Sequence, residues 1–323
     1  MKTNIRPIIF LILVTMLLPE LLTGSTSLSA FLDIPRLIIL FFGYGLAVLL
    51  IREVAVRYDL SVIGIFILGI AYGLFNEGFI AKTLIKVSEL PMVQYDYYGY
   101  FLGISFPFAV TISFWHALAS VTIPILLAYY FFPTFKAQPW LSKKTTVITA
   151  GVVFLLGVGA YFGAEPVAGA WPQLLVLLVL MLGFFLLAKR FKETTDFANV
   201  SVLNYKPLWL GISLFPTYFL LLIIIAGTKL PLALFFGVFT TIILGYYFIL
   251  RRNGWLSTRG FILFGIGNYL QNAIIASVLA FNAVIKSPKF GIPSLIDFPS
   301  SLASFVWSIR GVPANAPPWP PAP

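Results

Sequence analysis

The stretch Ala71-Tyr72-Gly73-Leu74-Phe75-Asn76-Glu77-Gly78 lies inside an apolar run, Leu60–Ala81, that is interrupted by one acid. A bilayer span needs about 20 mostly apolar residues, and this run supplies them. A charged side chain at that depth costs roughly 2.5–3.5 kcal/mol on insertion scales, so an ionisable residue there marks a functional site by default. Gly69, Gly73, Glu77 and Ala81 recur every four residues and share one helical face. Small residues let two helix backbones approach closely, so this face is expected to turn toward protein rather than lipid. Tyr72 and Asn76 form a second polar strip beside it, and Asn76 is placed to hydrogen-bond the Glu77 carboxyl. A buried acid of this kind suits a general acid/base or a proton carrier. The alternative is a glutamate that only fixes helix packing.

Composition generalises that reading. The chain is 60% hydrophobic and 10% charged, whereas soluble domains hold about 45–50% apolar and about 25% charged residues. We read nine candidate spans: Pro7–Leu22, Leu37–Ile51, Leu60–Ala81, Ile104–Phe131, Thr146–Phe162, Leu174–Ala188, Leu208–Ala226, Leu230–Leu250 and Phe261–Ala283. The expected fold is all-α, a polytopic integral membrane helical bundle in the cell membrane, with a prokaryotic plasma membrane as its setting. The expected division is a bundle over residues 1–284, an outer interfacial segment over 285–311 and a Pro-rich tail over 312–323. Within the middle segment, Leu302, Phe305, Val306 and Ile309 follow helical spacing and predict a short amphipathic helix on the outer leaflet. Lys2 and Arg6 before an apolar run give the first span the outline of a signal peptide. Pro19-Glu20 inside the run and the poor small-residue spacing after it favour a retained helix.

The net charge of +10 has a topological explanation. With the N-terminus inside, basic clusters fall on inner loops: Arg52 and Arg57; Lys136, Lys143 and Lys144; Lys189, Arg190 and Lys192; Arg251, Arg252 and Arg259. The outer loops receive scattered single residues such as Arg36, Lys82 and Lys229. This is the positive-inside pattern, and it predicts an N-in, C-out bundle whose partner is the lipid bilayer, not nucleic acid. Substrate and oligomeric state stay open. The outer loop Thr83–Gly99 carries Tyr95, Tyr97 and Tyr98, read as an interfacial aromatic belt.

Cysteine is absent and there is one histidine, which excludes disulfides, Cys-ligated metals and His-rich metal sites within one chain. No cofactor is expected, because neither a Walker A nor a Rossmann fingerprint occurs in a suitable context. HExxH and GxSxG contexts are absent too. The remaining chemistry lies in three places. Ser113, His116 and Ser120 share one face of the fourth span, with Pro124 placed to kink it. Asn268, Gln271 and Asn272 cluster on one face of the ninth span, either as helix–helix glue or as an oxyanion or substrate site. Glu20, at the outer end of the first span, either reaches the interface or joins Glu77. Glu53 beside Arg52 reads as a local ion pair and anchor.

Asn76-Glu77-Gly78-Phe79-Ile80-Ala81, Ile112-x-x-x-His116 and Asn268-x-x-x-Asn272 resemble the CAAX-protease and bacteriocin-processing family. That family carries Glu-Glu-x-x-x-Arg, Phe-x-x-x-His and His-x-x-x-Asn on three spans. Here Asn replaces the first Glu, Ala the Arg, Ile the Phe and Asn the first His. The resemblance implies an intramembrane hydrolase in which Glu77 activates water, His116 assists proton transfer, and Asn268 and Asn272 hold the oxyanion. Tyr72, Gly73, Glu77, Gly78 and His116 are also similar to a set of uncharacterised prokaryotic membrane proteins over the first 140 or so residues, a resemblance that brings no known activity. Three functions therefore stand: a carrier or permease with Glu77 as its proton- or cation-responsive group, an intramembrane hydrolase, and a structural or assembly protein without a site.

Overall fold

Ser61 ends a turn and begins a helix, because its hydroxyl accepts the Gly64 N–H at 3.3 Å. Asp33 does the same for the helix before it, accepting the Arg36 N–H at 3.4 Å with Pro35 in the first turn. Such caps satisfy backbone donors that the helix itself leaves open. The structure is a computed structural model, which describes residues 5–22, 26, 28–85, 99–163, 170–192, 205–214, 217 and 231–285.

The helices in chain order are α1 (Ile5–Leu22), α2 (Leu28–Phe31), α3 (Ile34–Arg57), α4 (Val62–Ile80), α5 (Phe106–Phe131), α6 (Lys143–Gly163), α7 (Trp171–Ala188), α8 (206–214), α9 (Leu232–Arg252) and α10 (Thr258–Ile285). Seven of them are long and apolar enough to cross a membrane among the described residues: α1, α3, α4, α5, α6, α7 and α9. The protein is thus a helical polytopic membrane bundle. Of the nine expected spans, Leu208–Ala226 is described only at α8 and residue 217. Phe261–Ala283 coincides with α10, whose side chains are described to residue 274. The expected aromatic belt at Tyr95, Tyr97 and Tyr98, the amphipathic helix near Leu302–Ile309 and the Pro-rich tail lie outside the described residues.

Among the described residues a pair of short strands precedes α5. Tyr100–Phe101 and Ile104–Ser105 form a two-residue antiparallel hairpin. Leu102 and Gly103 at its tip have φ of 50° and 74°, the paired positive values of a type I′ turn.

Burial separates the centre from the rim. In the most apolar windows of α4 and α5, 72% of the residues are buried, against 22%, 17% and 11% for α6, α7 and α9. The rim helices expose Phe154, Leu155, Leu175, Val179, Leu182 and Phe248 to what a bilayer would supply. α1 turns one face to the interior, where Leu11 and Thr15 have no exposed surface. Within lipid the hydrophobic effect does not drive helix to helix, so close packing of small residues must do it. Gly69 and Gly73 of α4 meet α5 in that way. A Cβ on Gly69 would sit 2.6 Å from the Ala117 Cα, and one on Gly73 would sit 2.5 Å from the Ser113 Cα.

Four stretches inside these helices are π-helical: Leu18–Leu22 in α1, Phe41–Leu46 in α3, Asn76–Ile80 in α4 and His116–Thr122 in α5. Pro19 lies in the first of them, and Pro124 follows the fourth by two residues. Pro19 and Pro124 have no N–H to give the carbonyl four residues back, so the hydrogen-bond ladder has to shift there. The third corrects a sequence expectation. The Ala81 N–H donates to the Asn76 carbonyl, five residues back. This extra residue per turn rotates Ala81 off the Gly69–Gly73–Glu77 face and leaves it exposed.

At the opposite end from Glu77, α3 finishes in a buried ionic clamp. Arg52 and Glu53 have fully buried side chains and pair at 2.7 Å. One Arg52 nitrogen also donates to the carbonyls of Phe135, Lys136 and Gln138 at 2.8–3.0 Å, and its guanidinium stacks 3.7 Å from the Trp140 ring centroid. Glu53 accepts from Arg57 and from the Trp140 N–H, while Arg57 donates to the Leu141 carbonyl at 2.8 Å. The expected local ion pair is therefore the root of a wider network that pins the connection between α5 and α6.

This packing sets two stability outcomes. Gly73→Leu should cost about 1–3 kcal/mol by overpacking, whereas Gly151→Leu, at a position with nothing within 4 Å of an added Cβ, should leave detergent-unfolding curves unchanged. Glu53→Ala strands two arginines and should cost about 3–5 kcal/mol in the same assay.

Candidate functional site

Glu77 and His116 are brought together by the close approach of α4 to α5 at Gly69 and Gly73. With no side chain at either glycine, α4 lies against α5 closely enough for the Glu77 Oε1 and the His116 Nε2 to meet at 2.8 Å. Glu77 is 8% exposed and His116 1%. Each occupies one of the π turns, Glu77 in Asn76–Ile80 and His116 at the head of His116–Thr122. Such turns recur at functional sites in proteins, because the widened turn re-aims side chains that a regular helix would stack.

The surrounding bonds complete the pair. Asn76 Nδ2 stands 3.3 Å from both Glu77 Oε1 and His116 Nε2. The Thr83 hydroxyl donates to Glu77 Oε2. On the far side of the ring, His116 Nδ1 and the Ser120 Oγ are 2.9 Å apart. A neutral imidazole satisfies this set in one way. Nε2–H donates to Glu77, and Nδ1 accepts from Ser120. Asn76 then donates to the carboxylate, and every group has a partner. Adding one proton to the ring inverts a single bond, with Nδ1–H donating to a rotated Ser120 hydroxyl. The pair can therefore hold or release a proton without losing a hydrogen bond.

Aromatic rings wall the histidine. Trp115 lies edge-on with ring centroids 5.0 Å apart, Tyr72 at 5.6 Å and Tyr44 at 6.0 Å. The Tyr72 hydroxyl donates to the Gly43 carbonyl at 2.9 Å, so Tyr72 contributes its ring to the site and its hydroxyl to the α3–α4 contact. Tyr44 comes from the π turn of α3. Its hydroxyl lies beside the Glu20 carboxylate, and Glu20, 6% exposed, sits in the π turn of α1. Glu20 thus joins the cluster and does not reach out to the interface. Its own carboxylate accepts from Thr26 and stands 3.9 Å from Arg36.

Other residues singled out from the sequence lie elsewhere. Ser113 packs against Gly73, one turn from His116, and its Oγ has no hydrogen-bond partner among the described residues. Two bonds among the amides of α10 run along their own helix. Asn272 Nδ2 donates to the Asn268 carbonyl at 2.8 Å and Gln271 Nε2 to Asn268 Oδ1 at 3.3 Å. α10 meets α5 at Gly265, which packs on Ile123, and at Tyr269, whose hydroxyl donates to the Ala119 carbonyl. Sequence reasoning missed Thr83 and Tyr44. Thr83 carried no signal because it follows the span. Tyr44 sat in Gly43-Tyr44-Gly45 within an apolar run, a glycine-flanked polar residue that marked the place. Among the described residues no group of three or more His, Cys, Asp or Glu side chains is arranged to hold a metal ion.

Double-mutant cycles should separate partners from neighbours. Glu77→Gln and His116→Ala should couple by about 0.5–3 kcal/mol in unfolding free energy, whereas Glu77→Gln and Asn272→Ala should add to within about 0.5 kcal/mol.

No curated protein and no solved structure matches the chain. Residues 9–166, which contain the whole cluster from Glu20 to Ser120, match the model of a family described as an uncharacterized membrane protein family.

Proposed function

We propose that this multi-pass membrane protein is a proton- or cation-responsive carrier in which the Glu77–His116 pair takes up and releases the coupling ion. The observation that carries this reading is the pair itself: a carboxylate and an imidazole at 2.8 Å, buried at the most enclosed helix contact. Their hydrogen bonds accommodate one proton more or less. Ionisable groups so placed are costly and mark ion pathways and proton relays in membrane proteins. The four π turns support the same reading, since each bends a central helix where one of these polar side chains enters the cluster.

The hydrolase reading has one supporting feature, the direct Glu77–His116 contact, which acid–base chemistry requires. It also needs free amide donors facing that contact. One Asn272 N–H is instead given to the Asn268 carbonyl of its own helix, and neither Asn268 nor Asn272 makes a described bond to the pair, so the carrier reading is favoured. The orientation we propose is N-in. It places the Arg52–Arg57 clamp and the Lys143, Lys189 and Arg251 end toward the cytoplasm, as the excess of basic residues favours.

Proteoliposomes holding a pH-sensitive dye and driven by a potassium diffusion potential test the reading. Wild type should move protons above the empty-liposome rate, and Glu77→Gln should fall to that baseline. Flux unaltered by the substitution would remove Glu77 from the mechanism. The orientation has its own check, made simple by the lack of native cysteine. A single cysteine at Ser142 should react with a membrane-impermeant maleimide only after the cells are permeabilised.

A further inference from the structure

Thr83 follows the π turn of α4, and its hydroxyl has two acceptors. It donates to Glu77 Oε2, and it stands 3.3 Å from the Glu77 main-chain carbonyl. The π turn makes that carbonyl available. In a regular helix it would take the Ala81 N–H, four residues on. Here the Ala81 N–H goes to Asn76, and the Glu77 carbonyl accepts the Leu84 N–H at 3.2 Å. A carbonyl has two lone pairs, so it can accept from the Thr83 hydroxyl as well. Lys82 turns the chain back over Glu77 with a φ of 61°, a left-handed conformation that a lysine keeps only where its surroundings hold it. Leu84 and Ile85, both buried, pin that turn. The two edges of the Glu77–His116 pair then differ. Oε1 is enclosed by buried bonds to His116 and Asn76, and the far edge of the ring by a buried contact with Ser120. The bond from Thr83 to Oε2 is only partly buried, and Glu77 keeps 11% of its side chain exposed against 1% for His116. Among the described residues the open edge of the pair is therefore Oε2. The ionisable groups around it are His116 of α5, Tyr44 of α3, Tyr72 of α4 itself and Glu20 of α1. Tyr161 of α6 lies beneath Lys82, and α7 carries no ionisable residue.

We infer that the pair exchanges its proton at Glu77 Oε2 and that Thr83 is the positioning residue that latches this oxygen in both of its states. This rests on the reading of the pair as the ion-binding group, with the proton as its ion. While the carboxylate is ionised, the Thr83 O–H is given to Oε2. A proton delivered by hydronium binds Oε2 and leaves water behind. The new Oε2–H donates to the Thr83 oxygen, and the Thr83 O–H turns to the Glu77 carbonyl. Oε1 keeps the His116 N–H throughout, and release runs the same steps backwards. No hydrogen bond is lost in either direction. Thr83 is thus the counterpart of Ser120: each hydroxyl can reverse its bond to the pair, Ser120 at the buried edge of the ring and Thr83 at the open edge of the acid. The π turn and the left-handed Lys82 acquire a purpose from this, since together they bring hydroxyl and carbonyl to the same oxygen.

Infrared difference spectra between two pH values, taken on the full chain in lipid nanodiscs, read the latch. The carboxylic-acid C=O band that grows on acidification and is missing from Glu77→Gln belongs to Glu77. Thr83→Val removes the acceptor of the Oε2 proton, so this band should move to higher wavenumber. Thr83→Ala should move it the same way without the bulk of a valine, and Thr83→Ser, which keeps a hydroxyl, should leave it in place. Proton flux in proteoliposomes should fall about tenfold in Thr83→Val and Thr83→Ala, as for the loss of one hydrogen bond, and return to the wild-type rate in Thr83→Ser. A Glu77 band that stays in place in both Thr83→Val and Thr83→Ala overturns the latch and leaves the pair standing. Acidification that yields a His116 imidazolium, seen by nitrogen-15 resonance, with no Glu77 acid band overturns Oε2 as the exchange atom and again leaves the pair standing. Neither an acid band nor an imidazolium at any pH that the fold survives overturns the pair together with its latch.

Discussion

The hydrogen bond between Glu77 and His116 is the constraint to which the centre of the bundle is fitted. It needs two helix backbones closer than ordinary side chains allow, and Gly69 and Gly73 against Ala117 and Ser113 provide that approach. It needs both side chains aimed into one contact, and the π turns at Asn76–Ile80 and His116–Thr122 provide that aim. It also needs every remaining polar atom matched, because an unsatisfied group in hydrocarbon costs several kcal/mol. Asn76, Thr83 and Ser120 meet that need. Removing one of these leaves a polar atom of the pair unmatched inside an apolar bundle.

The two ends of the bundle treat charge differently. At the Arg52 end, cations and one carboxylate are locked to backbone carbonyls and to the Trp140 ring, an arrangement with a saturated set of bonds and a structural character. At the Glu77 end, one oxygen of the acid meets a threonine hydroxyl that has a second acceptor within reach. Buried ion pairs tied into many fixed hydrogen bonds are hard to break and suit anchoring. A carboxylate with hydroxyl neighbours that both give and accept suits exchange. The asymmetry matches a molecule fixed at one end and responsive at the other.

Much of this was legible in residue order. The apolar runs marked α1, α3, α4, α5, α6, α7 and α9 because length and hydropathy alone decide whether a helix crosses a bilayer. The four-residue rhythm of Gly69, Gly73 and Glu77 pointed inward because helical geometry puts such residues on one face. It failed at Ala81, where the π turn adds a residue and rotates the end of the helix. Nothing in local composition announces a π turn; Pro19 and Pro124 marked two of them only as places where a ladder bond is missing. For the amides Asn268, Gln271 and Asn272 the sequence left helix glue and a substrate site both open. Shared helical phase shows that residues point the same way, but an amide can also give a donor to the turn beneath it, as Asn272 does. Tyr44 and Thr83 became visible only when α3 and the residues after α4 were folded against α5.

One property of the composition makes the central claim directly measurable. His116 is the sole histidine of the chain, so protein labelled with nitrogen-15 histidine and purified on a histidine-free tag gives one imidazole spectrum. The geometry predicts a ring protonated at Nε2, where it meets Glu77, with Nδ1 in the range of a hydrogen-bond acceptor beside Ser120. Glu77→Gln should displace the Nε2 signal. A ring protonated at Nδ1, with both nitrogens indifferent to Glu77→Gln, would contradict the pairing on which the account depends.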